Sequence, residues 1–232
     1  MEGAREGNLS GPARWGPREG NLSGPARWGP REGNPSGPAR WGPREELRRL
    51  LLERSYERRR VILTSGRESD FYIDARQTTL HPRGAYLAGR LLWEMLRGVS
   101  VEAVGGPETG AYPIVTAMAV VSELEGQPLG AFIVRKEPKG HGPSVHRTGR
   151  WVEGASNLRP GMEVAMVEDV VTTGASLLRA VEKAEEFGCR VARVLALVDR
   201  EEGGRENLAA AGFDLHPLFT RNSLLGEPPA RP

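Results

Sequence analysis

The sequence predicts an α/β fold with a mostly parallel central sheet flanked by helices. Three observations carry that expectation. Short apolar runs recur at Val101–Gly105, Leu129–Val134, Val164–Val167 and Val191–Val198, each of a length suited to a buried strand. Helical patterns separate most of them, and such alternation puts helices on both faces of a parallel sheet. Turns bearing glycine, hydroxyl or charged residues follow several runs, and open α/β sheets bind ligands just beyond the carboxyl ends of their strands.

The chain has 232 residues, enough for one domain of ordinary size and an appendage. Its one cysteine, Cys189, forms no intrachain disulfide and reads as a small buried residue between a helix and a strand. A single thiol suits a reducing compartment. No run approaches the roughly 18 apolar residues of a membrane span, and the N-terminus lacks the apolar core of a secretory signal. A cytoplasmic protein with no membrane partner is expected.

Residues 1–43 stand apart. Residues 5–17, 18–30 and 31–43 are three copies of REGNLSGPARWGP, differing only at Pro35. Each copy holds one tryptophan and little else to bury, so the units cannot stack into a solenoid, and the segment is expected to be a disordered tail. It carries six Arg and four Glu, a net +2. The whole chain is also +2, which leaves residues 44–232 neutral. Regularly spaced Arg and Trp would also suit a nucleic-acid arm. Near-perfect copies look more like a duplicated stretch of coding sequence read through into protein, so no nucleic-acid partner is expected.

From residue 44 the elements follow in order. Arg44 to Arg60 is helical by pattern, with Leu47, Leu50, Leu51 and Tyr56 on one face. Val61–Leu63 and Phe71–Asp74, separated by a Ser65-Gly66 turn, read as a hairpin. His81-Pro82 opens a helix that buries Leu87, Leu91 and Met95. The strand Val101–Gly105 runs into the turn Gly105 to Gly110 and an apolar helix over Ile114–Val121. Leu129–Val134 is a strand that ends in RKEPKGHG, with Arg135, Lys136, Lys139 and His141 in a segment too rich in Gly and Pro for a helix. After Val164–Ser176 comes an amphipathic helix, Leu177–Phe187, closed by Gly188. Val191–Val198 is a strand running into DREEGG, Asn207–Ala211 a helix, and Phe213–Phe219 a last strand. The domain is drawn at residues 44–226, with a frayed end at 227–232.

The stretch VAMVEDVVTTGAS (Val164 to Ser176) organises the rest. A strand ends in two carboxylates, Glu168 and Asp169. A turn bearing Thr172, Thr173, Gly174, Ala175 and Ser176 then opens a helix. Helix N-termini offer unpaired N–H groups and partial positive charge to a phosphate. The carboxylates repel phosphate and suit sugar hydroxyls, or positive charge developing at an anomeric carbon.

This stretch resembles the phosphoribosyl-pyrophosphate (PRPP) signature of the type I phosphoribosyltransferases. LTSGRESDFYIDARQTTLHPRG (Leu63 to Gly84), the basic loop and DREEGG narrow the resemblance to the orotate phosphoribosyltransferases. The resemblance implies the type I phosphoribosyltransferase fold with a small N-terminal hood. It implies transfer of the 5-phosphoribosyl group from PRPP to orotate, giving orotidine 5′-monophosphate and pyrophosphate in pyrimidine synthesis. PRPP would be met by Arg135, Lys136, Lys139, His141, Glu168, Asp169, Val170, Val171 and the turn Thr172 to Ser176. Of these, Lys139, His141, Glu168 and Asp169 would be catalytic. Orotate would be met by Tyr72, Ile73, Thr172 and Arg200. Magnesium would be carried mainly by PRPP, with no dedicated protein metal site. A homodimer with shared active sites is implied as well.

The chain departs from the family pattern at the basic loop and at the phosphate turn, and Thr64 and Gly110 stand where some members carry a lysine. Pro143 to Arg147 lengthens the basic loop, at little closure entropy. Ala175 stands where relatives often have a second glycine, which suits a helix start provided φ stays negative. Two other readings stay open at this point. One is a phosphoribosyltransferase for another base, against which Arg200 and the hood speak. The other is a PRPP-sensing regulator, which would be expected to lack the basic loop.

Overall fold

A computed structural model describes residues 41–62, 68–138 and 149–226. The repeat tail up to residue 40, Thr64, the tip of the basic loop with Lys139 and His141, the added segment Pro143 to Arg147, and residues 227–232 lie outside the described residues.

The helix α1 (Pro43–Arg54) opens the described domain, with Pro43 at its first turn and Glu45 and Glu46 beside its positive end. A hairpin of β1 (Tyr56–Ile62) and β2 (Glu68–Ile73) follows. The short α2 (Arg76–Thr79) leads to α3 (Pro82–Glu94). The sheet begins with β3 (Ala103–Pro107), followed by α4 (Ala111–Leu124), β4 (Gly130–Val134) and the two-residue β5 (Val152–Glu153). It continues with β6 (Glu163–Val171), α5 (Ala175–Phe187), β7 (Arg190–Asp199), α6 (Gly204–Ala210), β8 (Leu215–Thr220) and α7 (Arg221–Leu225).

The six-stranded sheet has the order β5-β4-β3-β6-β7-β8. All its pairings are parallel except β4 with β5, so the expected mostly parallel sheet is present. Both faces are covered, and the strands show it residue by residue. Ala165, Val167, Leu195 and Leu197 point into the core under α1, α3 and α4, where Leu47, Leu87, Leu92 and Met118 are buried. Their neighbours Val164, Met166, Val194 and Ala196 point to the opposite core under α5 and α6, against Leu177, Val181 and Leu208. Alternate burial on both sides is why these strands read as unbroken apolar runs. Cys189 is buried at the junction of α5 and β7, as expected.

Two elements correct the expectation. The helix expected over Arg44–Arg60 stops at Arg54, and Tyr56 begins β1 instead, opposite Ile73. Long-range contacts outweigh the local pattern there. The Asp74 N–H donates to the Ser55 carbonyl at 3.0 Å, the Ser55 and Thr78 hydroxyls bond at 2.7 Å, and Tyr56 packs on Phe71 with ring centres 5.3 Å apart. At the far end, Leu224 and Leu225 close the fold within α7, a helix the sequence reading left out. Its Thr220–Ser223 capping box was a readable signal.

The connections decide where a ligand can sit. From β3 the chain moves outward to β4 on one side. It then returns to β6 on the other side and proceeds outward through β7 and β8. The crevice between the carboxyl ends of β3 and β6 is therefore the topological switch point of the sheet.

Candidate active site

A cleft of about 270 Å³ opens at that switch point. Its walls come from three directions. β2 and the turn into α2 supply Tyr72, Ile73, Asp74 and Arg76; the turn after β3 supplies Glu108, Thr109 and Gly110; β6 and α5 supply Glu168, Asp169, Val170 and Ser176. Lys136, two residues beyond β4, lines it as well.

The acid pair sits where β6 leaves the core. Glu168 is 8% exposed. Its Oε1 accepts a 2.5 Å hydrogen bond from the Ser176 hydroxyl, and Oε2 is buried with no hydrogen bond among the described residues. Burial pushes its carboxyl up to about 7; the Ser176 bond opposes that and the Asp169 charge adds to it. Asp169 is also raised, chiefly by withdrawal from water, with the Val170 N–H (2.9 Å to Oδ1) and the Arg76 guanidinium opposing. Two adjacent carboxylates held above their ordinary range are poised to gain from any positive charge brought to them.

Gly110 makes room for this pair. A Cβ at Gly110 would lie 2.2 Å from Asp169 Oδ1, so the turn after β3 lies directly against the carboxylate. In the same turn the Glu108–Thr109 peptide is cis. The Glu108 carboxylate accepts a 2.6 Å bond from the Lys136 N–H and so ties this turn to the root of the basic loop.

The turn after β6 is built for an anion. Gly174 takes the left-handed conformation (φ 76°) and caps α5 with no side chain, and Leu178 N–H is the first to bond back to it, at 2.9 Å. The first-turn N–H groups are left to another acceptor. Ala175 is the first residue of α5 and has no positive φ, so alanine meets the condition set for it. The turn is held from behind by Asn207, whose side-chain amide donates to the Thr173 carbonyl at 2.9 Å.

Of the residues expected to form the site, Tyr72, Ile73, Lys136, Glu168, Asp169, Val170 and Ser176 line one cleft. Val171 is buried behind it, and Thr172, Thr173, Gly174 and Ala175 form the adjoining turn without lining the cleft. Arg135 does not line the cleft and pairs with Glu153 at 2.7 Å. Arg200 is 6% exposed and does not line the cleft. Its Nη2 donates to the Phe71 carbonyl at 2.8 Å and meets Glu202 at 2.9 Å, which clamps the hairpin onto the sheet rim. Lys139 and His141 lie outside the described residues. Asp74 and Arg76 were missed as site residues. Their signal was weak, a charged pair two apart at the end of a hairpin strand.

The Phosphoribosyl transferase domain family matches residues 77–213. An orotate phosphoribosyltransferase of Sorangium cellulosum is 48% identical over 186 residues, covering 80% of this chain and 94% of that protein. The chain belongs to the orotate phosphoribosyltransferases. Its backbone agrees. The orotate phosphoribosyltransferase of Mycobacterium tuberculosis in complex with Fe(III) dicitrate is 38% identical and matches with a TM-score of 0.68, covering 79% of this chain and 99% of that one. The same enzyme in complex with PRPP matches with a TM-score of 0.64 at 35% identity, over 79% of this chain and 99% of that one. The fold class expected from the sequence is thus the family's own.

Proposed function

We propose that the cleft transfers the 5-phosphoribosyl group from PRPP to orotate, releasing pyrophosphate and forming orotidine 5′-monophosphate for pyrimidine synthesis. One observation carries the residue assignment: an acid pair at the end of β6 stands beside an uncapped helix N-terminus, at the switch point of a sheet of this family. The α5 N-terminus and the Thr172 to Ser176 turn hold the 5′-phosphate through N–H groups and hydroxyls. Glu168 and Asp169 face the ribose. As the bond at the anomeric carbon stretches, their negative charge stabilises the oxocarbenium-like centre, and the water-poor surroundings of Glu168 strengthen that interaction. Tyr72 and Ile73 offer an aromatic and an apolar surface to the flat pyrimidine. Arg200 sets their strand through the Phe71 carbonyl, and Thr172 donates towards the base. Lys136 and the basic loop, with Arg135 at its root and Lys139 and His141 towards its tip, neutralise the leaving pyrophosphate.

Magnesium fits this donor set as a shared ion. Among the described residues no three Asp, Glu, His or Cys side chains group to hold a metal, while the cleft presents Asp74, Glu108, Glu168 and Asp169. Magnesium binds through substrate phosphates and one or two carboxylates while keeping several waters. Bound there, it would neutralise pyrophosphate charge.

The working unit is a homodimer. The exposed apolar side chains Leu80, Tyr86, Tyr112, Val120 and Leu124 line one groove along α3 and α4, and exposed apolar patches of this kind mark interfaces. Tyr112 is two residues from Gly110 of the cleft, so a second copy seated there comes beside the active site. Among the described residues no helix is long and apolar enough to cross a membrane. The compartment proposed is the cytoplasm, where the chain's single, buried thiol suits reducing conditions. The domain reading is a tail to residue 43, a catalytic domain over 44–226 and a C-terminal end after it.

Orotate consumption by the full-length chain with PRPP and magnesium tests the assignment, beside Lys139→Ala. Turnover that falls at least about 100-fold in the variant is expected. No turnover of orotate by the wild-type chain would overturn the proposal.

A further inference from the structure

We infer that Arg76 binds an anionic oxygen of the substrates, a carboxylate or a phosphate, and so is a substrate-binding residue of the cleft. The inference rests on reading the cleft as the site for orotate and PRPP.

The geometry presents one edge of this guanidinium. Asp74 grips the other edge: Nε donates to Oδ1 at 2.8 Å and Nη2 to Oδ2 at 3.2 Å. Asp74 is itself held by the Arg76 N–H at 3.2 Å and by Gln77 at 3.3 Å. A guanidinium carries five N–H donors in a rigid plane. With Nε and Nη2 on Asp74, Nη1 makes no hydrogen bond among the described residues. Asp74 therefore acts as a clamp that fixes the orientation of the fork, as expected of a preorganised anion site.

Its place in the cleft separates this half-exposed pair from an ordinary surface ion pair, which would contribute little. Arg76 lines the cleft beside Tyr72 and Ile73, and it lies within electrostatic reach of Asp169 and Tyr72. It is therefore close both to the surface proposed for the pyrimidine and to the acid proposed for the ribose. The charge balance calls for it as well. The described lining holds four carboxylates, Asp74, Glu108, Glu168 and Asp169, against two cations, Arg76 and Lys136. Orotate and PRPP are both anions, so half of the described positive charge that meets them is at Arg76. Arg200, the other arginine of this rim, is committed to the Phe71 carbonyl and Glu202.

The test measures KM for orotate, KM for PRPP and kcat in the full-length wild type, Arg76→Gln and Asp74→Asn, with PRPP affinity by calorimetry and thermal unfolding alongside. Arg76→Gln is expected to raise one KM roughly 10- to 100-fold, with kcat within a few-fold and the unfolding temperature nearly unchanged, since the side chain is 48% exposed. A rise for orotate assigns the carboxylate, and a rise for PRPP, matched by calorimetry, assigns a phosphate. Asp74→Asn keeps the Arg76 charge but loosens the clamp, and is expected to raise the same KM by a smaller factor. Both KM values and the PRPP affinity unchanged in Arg76→Gln would overturn the inference, as would a fall confined to kcat. A wild-type chain that does not turn over orotate would sink the reading of the cleft instead, and PRPP affinity of Arg76→Gln would still decide the phosphate contact.

Discussion

Replacing Glu168 with glutamine should change how stability depends on pH. In the folded ligand-free protein the Glu168 carboxyl titrates near 7, against 4.5 for an ordinary glutamate. Below 4.5 both states hold the proton, and above 7 both have released it. In between, the folded state keeps a proton that the unfolded chain has lost, so stability falls as pH rises through that window. The shift of about 2.5 units corresponds to ~3 kcal/mol. Glutamine has no proton to lose. The stability of Glu168→Gln relative to wild type should therefore climb by ~3 kcal/mol from acid to alkaline pH, on top of a constant offset from the altered Ser176 contact. Urea unfolding at several values from about pH 5 to about pH 8.5, without substrate, measures this. Two stability curves running parallel across the range would refute the claim that burial holds Glu168 protonated. The same variant should lose about 100-fold in kcat, because an amide cannot stabilise cationic charge at the ribose. The acid limb of kcat/KM should change with it, its apparent pKa values belonging to the Glu168–Asp169 pair rather than to either residue.

Three further outcomes follow from the same geometry. Ser176→Ala removes the donor that opposes the rise at Glu168, so the acid limb of the kcat/KM profile should move to higher pH; an unmoved limb would place the hydroxyl outside the titration. Gly110→Ala puts a methyl 2.2 Å from Asp169 Oδ1; displacing the part-buried carboxylate breaks its bond from the Val170 N–H, so denaturant unfolding should show a loss of about 1–3 kcal/mol, while kcat/KM falls more than about 10-fold. Val120→Glu with Leu124→Glu puts charge into the exposed groove of α3 and α4; sedimentation should show a monomer, and a dimer of undiminished stability would move the interface elsewhere.

The sheet was legible because its physics is local in sequence. A strand buried on both faces reads as an apolar run, so Val164–Val167 and Val191–Val198 announced themselves, and β6 and β7 extend only a few residues past them. The acid pair and the Thr172 to Ser176 turn were legible for a related reason: one strand end and one helix start bring them together, with no long loop to close. The start of the hairpin was not, because what ends α1 at Arg54 is partners about twenty residues away, Asp74 and Thr78 on Ser55, and a helical face on paper cannot weigh those against itself. Arg200 shows the same limit at the site. Its position at a strand end was readable, but its direction depends on where the Phe71 carbonyl lies, 129 residues earlier in the chain. Arg76 is the converse. Its clamp is local, two residues long, yet the clamp matters only because the fold sets α2 opposite β6, where Arg76 opposes the rise at Asp169. Sequence spacing finds groups that one element carries; charges that meet across a cleft require the fold first.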